Sequence, residues 1–182
     1  MARVSTWSGI RNKLENDYLC PALRGHIQYF ATSYSKSLGF ESRVAIRMDG
    51  IEVLRSGYFD YCQNYWNRYQ ALRREGIGLE NPKAPFQMAH TGALNDGCFT
   101  AVCFCEAFHE FDNQSIEKNL VSENPLVRIF AILDRRLGKR RLLALGGSME
   151  LELPWVRAFY AVRMEAEGLA DKWRAPDFLA EL

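Results

Sequence analysis

The sequence predicts an α+β fold: an N-terminal helix plus a three-stranded antiparallel meander, followed by a mostly α-helical C-terminal half. Three observations carry that prediction. Asp49-Gly50 separates two alternating segments, RVAIRM and IEVL, and an Asp-Gly pair in that setting is the strongest short-range hairpin signal. The stretch before it, His26 to Ser35, is dense in β-branched and aromatic residues, the composition of a strand. Beyond residue 97 the apolar residues fall at helical spacing in one segment after another.

Taken in order, residues 6 to 19 form the first helix, with Thr6 or Ser8 as cap and Trp7, Ile10, Leu14 and Tyr18 as its apolar stripe. Cys20-Pro21 ends it, because proline disfavours the α conformation in the residue before it. In the strand His26 to Ser35, Ile27, Tyr29 and Ala31 face one way and Phe30 and Tyr34 the other, which predicts cover on both faces. Val44, Ile46 and Met48 share a face of the second strand. Ile51 to Leu54 is the third. Phe59 to Glu75 is helical, with Tyr61, Tyr65, Arg68 and Leu72 on one stripe and Cys62, Trp66 and Tyr69 beside it. Gly, Pro and Asn recur through GIGLENPKAPFQMAHTGALNDG, so residues 77–96 read as a connecting loop between an α-β-β-β-α unit at 1–76 and a helical lobe at 97–182.

Cys98 to Phe111 is apolar almost all round and reads as a buried helix. A short helix follows from Ser115 to Val121, without an evident capping pair. In NPLVRIFAILDRRLGKRRLLAL, Asn124 is a good N-cap and Pro125 suits the first helical position. Leu126, Ile129, Phe130, Leu133 and Leu137 then line one face, Arg128 and Arg135 lie opposite, and Gly138 is the expected stop. GGSMELEL reads as a loop or short strand. Pro154 to Glu167 is the last long helix, with Trp155, Phe159, Val162 and Ala166 inward and Gly168 as its stop. Trp173, Phe178 and Leu179 predict a tail that docks.

The chain has 182 residues and 48% hydrophobic content, enough for a real core in one domain or two small lobes. A formal net charge of +1 excludes a generally basic nucleic-acid coat. No apolar run reaches membrane-spanning length, and MARVSTWSGIRNKLEN lacks the apolar region of a signal peptide. With five cysteines in no framework spacing, this predicts a soluble cytoplasmic protein with reduced thiols.

Motifs for common chemistry are absent from the sequence: no GxxxxGK[ST], GxGxxG, GxSxG, HExxH or EF-hand loop occurs. Cys98, Cys103, Cys105 and His109 crowd one segment. Their spacing is not that of a structural zinc site, and buried core thiols account for them. No metal and no cofactor is expected. The α-β-β-β-α order is shared by double-stranded RNA-binding domains, but the lysine run that opens their second helix is missing from GYFDYCQNYWNRYQ. A restriction-type nuclease core fares no better, since Asp49 is the turn residue and Leu54 stands where a lysine would follow Glu52.

Two candidate sites remain. The cations Arg128, Arg135, Arg136, Lys139, Arg140 and Arg141 could grip phosphates, because arginine forks match phosphate oxygens. The competing reading is a solvated helix end, with Asp134 paired to Arg140 or Arg141. His90, with Asp96 or Glu106 as helper, is the acid–base candidate of an enzyme of unrecognised class. The reading favoured by the residues is a non-enzymatic binding module, for a protein partner or for nucleic acid through the 135–141 cluster, with no membrane partner.

Four segments, CPALRGHIQYFATSY, RVAIRMDGIEVL, NPLVRIFAILDRRLGKRRL and WVRAFYAVRMEAEGL, resemble a family of small uncharacterised bacterial cytoplasmic proteins. The resemblance implies a stand-alone bacterial protein and carries over no activity, cofactor or catalytic residue. That family usually has Arg where this chain has His26, which weakens any phosphate role at the start of the first strand.

Overall fold

A computed structural model describes residues 6–32 and 42–173. The first helix, α1 (Trp7–Asn12), starts where Thr6 accepts the Gly9 N–H, and it runs on as a π-helical stretch, Lys13–Tyr18. Ile10 and Leu14 are buried, and Trp7 and Tyr18 pack against the core from the side.

Strands β1 (Ile27–Thr32), β2 (Arg43–Met48) and β3 (Ile51–Gly57) form an antiparallel sheet in the order β1-β2-β3. Asp49 and Gly50 both adopt positive φ, 51° and 83°, as a type I′ turn requires. The register sets Ile27 opposite Met48, Tyr29 opposite Ile46 and Ile46 opposite Leu54, so one face is largely apolar, with the buried Ser56 opposite Val44 accepting the Phe99 N–H. The cover predicted for the second face is not of that kind. Phe30 is only half-buried, and it lies under the guanidinium of Arg47, 4.0 Å from its ring centre. The expected continuation of β1 through Tyr34 and Ser35 lies outside the described residues.

The rest is helical: α2 (Tyr58–Arg74), α3 (Ala84–Asn95), α4 (Ala101–Asn113), α5 (Ile116–Leu120), α6 (Pro125–Leu133), α7 (Lys139–Ala144) and α8 (Pro154–Ala166). Helix α6 is the hub. Asn124 caps it by accepting the Leu126 N–H, and of its residues only Arg128 is not buried. Phe104 and Phe111 of α4 meet Phe130 of α6 edge-on at 5.1 and 5.7 Å, and Tyr29 of the sheet joins the same cluster.

Five expectations need correcting. Residues 84–95 are a helix, α3, rather than loop. Its Pro85, Ala89, Ala93 and Leu94 form a buried stripe that the glycine and proline signals obscured. Helix α6 ends at Leu133, short of Leu137, and Gly138 (φ −72°) opens α7 instead of stopping α6. The segment 148–151 is a 3₁₀ turn rather than loop or strand. Helix α4 begins only at Ala101, so Cys98 lies outside the helix expected to start there. Ser115 does cap α5, accepting the Lys118 N–H at 3.4 Å. Gly168 ends α8 at φ 68°, as expected. Trp173 docks edge-on against Tyr160 at 4.8 Å, whereas Phe178 and Leu179 lie outside the described residues.

Candidate functional site

The basic cluster is largely used up by internal pairing. Arg128, read as exposed, has a side chain only 14% accessible. It grips Glu152 with two bonds of 2.8 Å and also donates to the carbonyls of Ser122 and Glu123. The 3₁₀ turn after α7 folds back over what helical periodicity marks as the wet face. Asp134 pairs with Arg136, not with Arg140 or Arg141. It is fully buried and takes both the Arg136 backbone N–H and its guanidinium at 2.7 Å. That guanidinium also lies over the rings of Tyr18 and Phe111, at 4.8 and 5.3 Å. Burial disfavours the Arg136 cation, but the Asp134 bond outweighs this and holds its pKa above the ordinary value. Lys139 meets Glu167 and Arg141 meets Glu117. Of the six cations of the cluster, Arg135 and Arg140 are the two exposed without an ion-pair partner among the described residues.

The turn from Asp134 to Leu137 is organised by a residue that the sequence reading passed over, Arg163 of α8. Its side chain is 3% accessible. It donates to the carbonyls of Leu133 (2.9 Å), Asp134 (3.2 Å) and Leu137 (3.1 Å) and pairs with Glu167 at 3.0 Å. A cation there satisfies the free carbonyls at the C-terminus of α6 and complements its dipole. The signal was present, since Arg163 follows the buried Val156 and Phe159 at helical spacing.

His90 sits on α3, half-buried, with Nδ1 2.8 Å from the Tyr61 hydroxyl of α2. Burial pushes the Tyr61 hydroxyl well above its ordinary pKa, with nearby Cys103 adding to the effect. The phenol therefore stays protonated and keeps its proton available for the His90 contact. His90 borders a shallow groove of about 340 Å³ with Thr91, Leu94, Glu110, Ser122 and Asn124. Two acidic residues share that groove: Glu110, which accepts the Ser122 hydroxyl, and Glu123. Neither predicted helper has a hydrogen bond to His90. Asp96 is tied to Arg68 and to Asn64 (2.8 Å), and Glu106 is exposed. Burial alone would raise the Asp96 carboxyl, but the bonds from Arg68 and Asn64 hold it below the usual range. Among the described residues, no group of three His, Cys, Asp or Glu side chains could hold a metal ion.

The α2–α3 pair presents a different surface. No residue of α2 is buried. Tyr61, Tyr65 and Tyr69 stack along it, Trp66 stands edge-on to both Tyr65 and Tyr69, and Phe86 of α3 lies 4.7 Å from Tyr69. Phe59, Trp66 and Phe86 remain 66%, 50% and 46% exposed. The two helices lie close because Gly92 has no side chain: a Cβ there would come within 2.8 Å of Arg68. The sequence places Trp66 beside the stripe of Tyr61, Tyr65, Arg68 and Leu72, and the structure turns it to solvent.

A family model, that of the SF0329 protein family, matches residues 6–164. The chain belongs to this family. The match runs from the N-cap of α1 almost to the end of α8, so it takes in the basic turn, the His90 groove and the α2–α3 surface. No curated protein and no solved structure matches the chain. No helix among the described residues is long and apolar enough to cross a membrane.

Proposed function

We propose that the chain is a non-enzymatic binding module and that its partner is a protein held on the outer face of α2 and α3. The observation that carries this reading is the exposed aromatic group Phe59, Trp66 and Phe86. The composition of α2, YFDYCQNYWNRYQALRR, supports it. Tyr, Trp, Phe and Arg are the residues enriched in protein interfaces, while Lys and Glu, depleted there, are missing from this helix. The nucleic-acid reading rests on Arg135 and Arg140 alone, since the other four cations of the cluster have acidic partners. Two cations fall short of a basic face. The enzyme reading has a histidine but no carboxylate bonded to it.

A photo-crosslinking residue placed at Trp66 of the full chain, in cells, tests this. A discrete protein adduct is expected there, and none from the same residue placed at Glu165, exposed on α8. An adduct at Trp66 that nuclease treatment removes would transfer the proposal to nucleic acid. The absence of any adduct would overturn the surface altogether.

A further inference from the structure

We infer that the partner seated on α2 is a second copy of this chain, the two α2 helices packing antiparallel about a two-fold axis at Trp66. This rests on the protein-binding reading above and names its occupant.

The exposed stripe of α2 is Phe59, Gln63, Trp66, Gln70 and Arg73, and all five are exposed. They recur at helical spacing along one face. Reversed end for end about Trp66, this stripe matches itself. Phe59 and Arg73 stand equidistant from Trp66 in sequence, so each Phe59 ring meets Arg73 of the partner subunit, a cation–π contact made twice. Gln63 comes beside Gln70 of the partner subunit, where two carboxamides can exchange hydrogen bonds. Trp66 meets its own copy on the axis, and a central aromatic anchor is the usual form of an interface hot spot.

The charges are arranged for the same pairing. The helix opens with Asp60 and closes with Arg73 and Arg74, all three exposed. The two arginines have no acidic partner among the described residues, whereas Arg68, on the inner face, has Asp96. Antiparallel pairing sets Asp60 beside Arg73 and Arg74 of the partner subunit at both ends of the seam. It also opposes the helix dipoles favourably. A parallel arrangement would place like charges together at each end. A patch that complements itself under reversal is what an isologous two-fold interface needs. Beside the seam, Phe86 reaches the stripe through its contact with Tyr69 and widens the apolar surface to α3.

The test is sedimentation equilibrium of the full chain over a wide concentration range. The wild type is expected to associate to a dimer and Trp66→Ala to remain monomeric. A charge exchange then checks the register without touching Asp60, which caps α2 through the Gly57 N–H. Gln63→Arg/Gln70→Arg and Gln63→Glu/Gln70→Glu should each be monomeric alone. Mixed in equal amounts they should form a heterodimer, because every altered position then faces its opposite charge. The three altered positions, Gln63, Trp66 and Gln70, are exposed, so circular dichroism should show the same fold in each variant.

A wild type that stays monomeric throughout, or a mixture no more associated than its components, overturns the inference. A monomeric wild type that still yields an adduct at Trp66 overturns self-pairing alone and leaves the protein-binding reading standing. An adduct at twice the mass of the chain supports both.

Discussion

Replacing Arg163 by alanine is the sharpest perturbation the structure offers. The side chain is 3% accessible and bridges α8 to the end of α6 through three carbonyls and Glu167. Removing one member of a buried ion pair costs about 3–5 kcal/mol, because a charge is left without compensation. The local geometry points to the lower end. Glu167 keeps Lys139 at 3.3 Å, the Leu133 carbonyl keeps the Cys20 N–H at 2.9 Å, and the Asp134 carbonyl keeps the Leu137 N–H. The Leu137 carbonyl is the group that loses its named donor. A loss of about 3 kcal/mol is therefore expected, a large share of a typical stability of about 5–15 kcal/mol. For a chain of this size that corresponds to a fall in Tm of roughly 6–12 °C. Urea and thermal unfolding followed by circular dichroism measure it. Arg163→Lys should fall between the two, since it keeps the charge but not the fork that reaches several carbonyls at once. A loss below about 1 kcal/mol for Arg163→Ala, the range of an exposed pair, would refute the idea that this cation holds the α6 end in place.

Two further outcomes follow from close packing and from titration. Gly92→Ala drives a Cβ to within 2.8 Å of Arg68, whose guanidinium is anchored on Asp96, so the α2–α3 contact should loosen. A cost of about 1–3 kcal/mol is expected in the same unfolding assay, and an unchanged or raised stability would show that Arg68 simply moves aside. Asp112 is partly buried, which alone would raise its carboxyl, but bonds from Tyr18 and Lys13 hold it below its ordinary pKa. A depressed folded-state pKa adds stability that is present above the unfolded value and lost as pH falls through the folded one. Wild-type stability should therefore fall with acid below about pH 4, and Asp112→Asn should flatten part of that dependence. Identical acid profiles for the two would rule the contribution out.

What the sequence by itself determined is local chemistry. The Asp49-Gly50 turn, the Thr6 cap of α1, the Asn124-Pro125 start of α6 and the Gly168 stop of α8 each depend on a few adjacent residues, and each lies where the residues indicate. The order of helix, meander and helical half follows from those signals and from periodicity. Tertiary structure decided the rest. Helix α6 stops at Leu133 because Leu19 pairs with Asp134 and because Arg163, remote in sequence, takes the carbonyls beyond it. Helix α3 survives its glycine because Gly92 permits close approach to Arg68, and that packing offsets a propensity cost of about 1 kcal/mol. The basic cluster looks continuous along the chain, but three of its cations, Arg128, Lys139 and Arg141, pair with Glu152, Glu167 and Glu117, which only folding brings near. Side-chain periodicity says which residues share a face. Which face meets another part of the chain and which is left to solvent, as Trp66 is, depends on contacts between residues far apart in sequence.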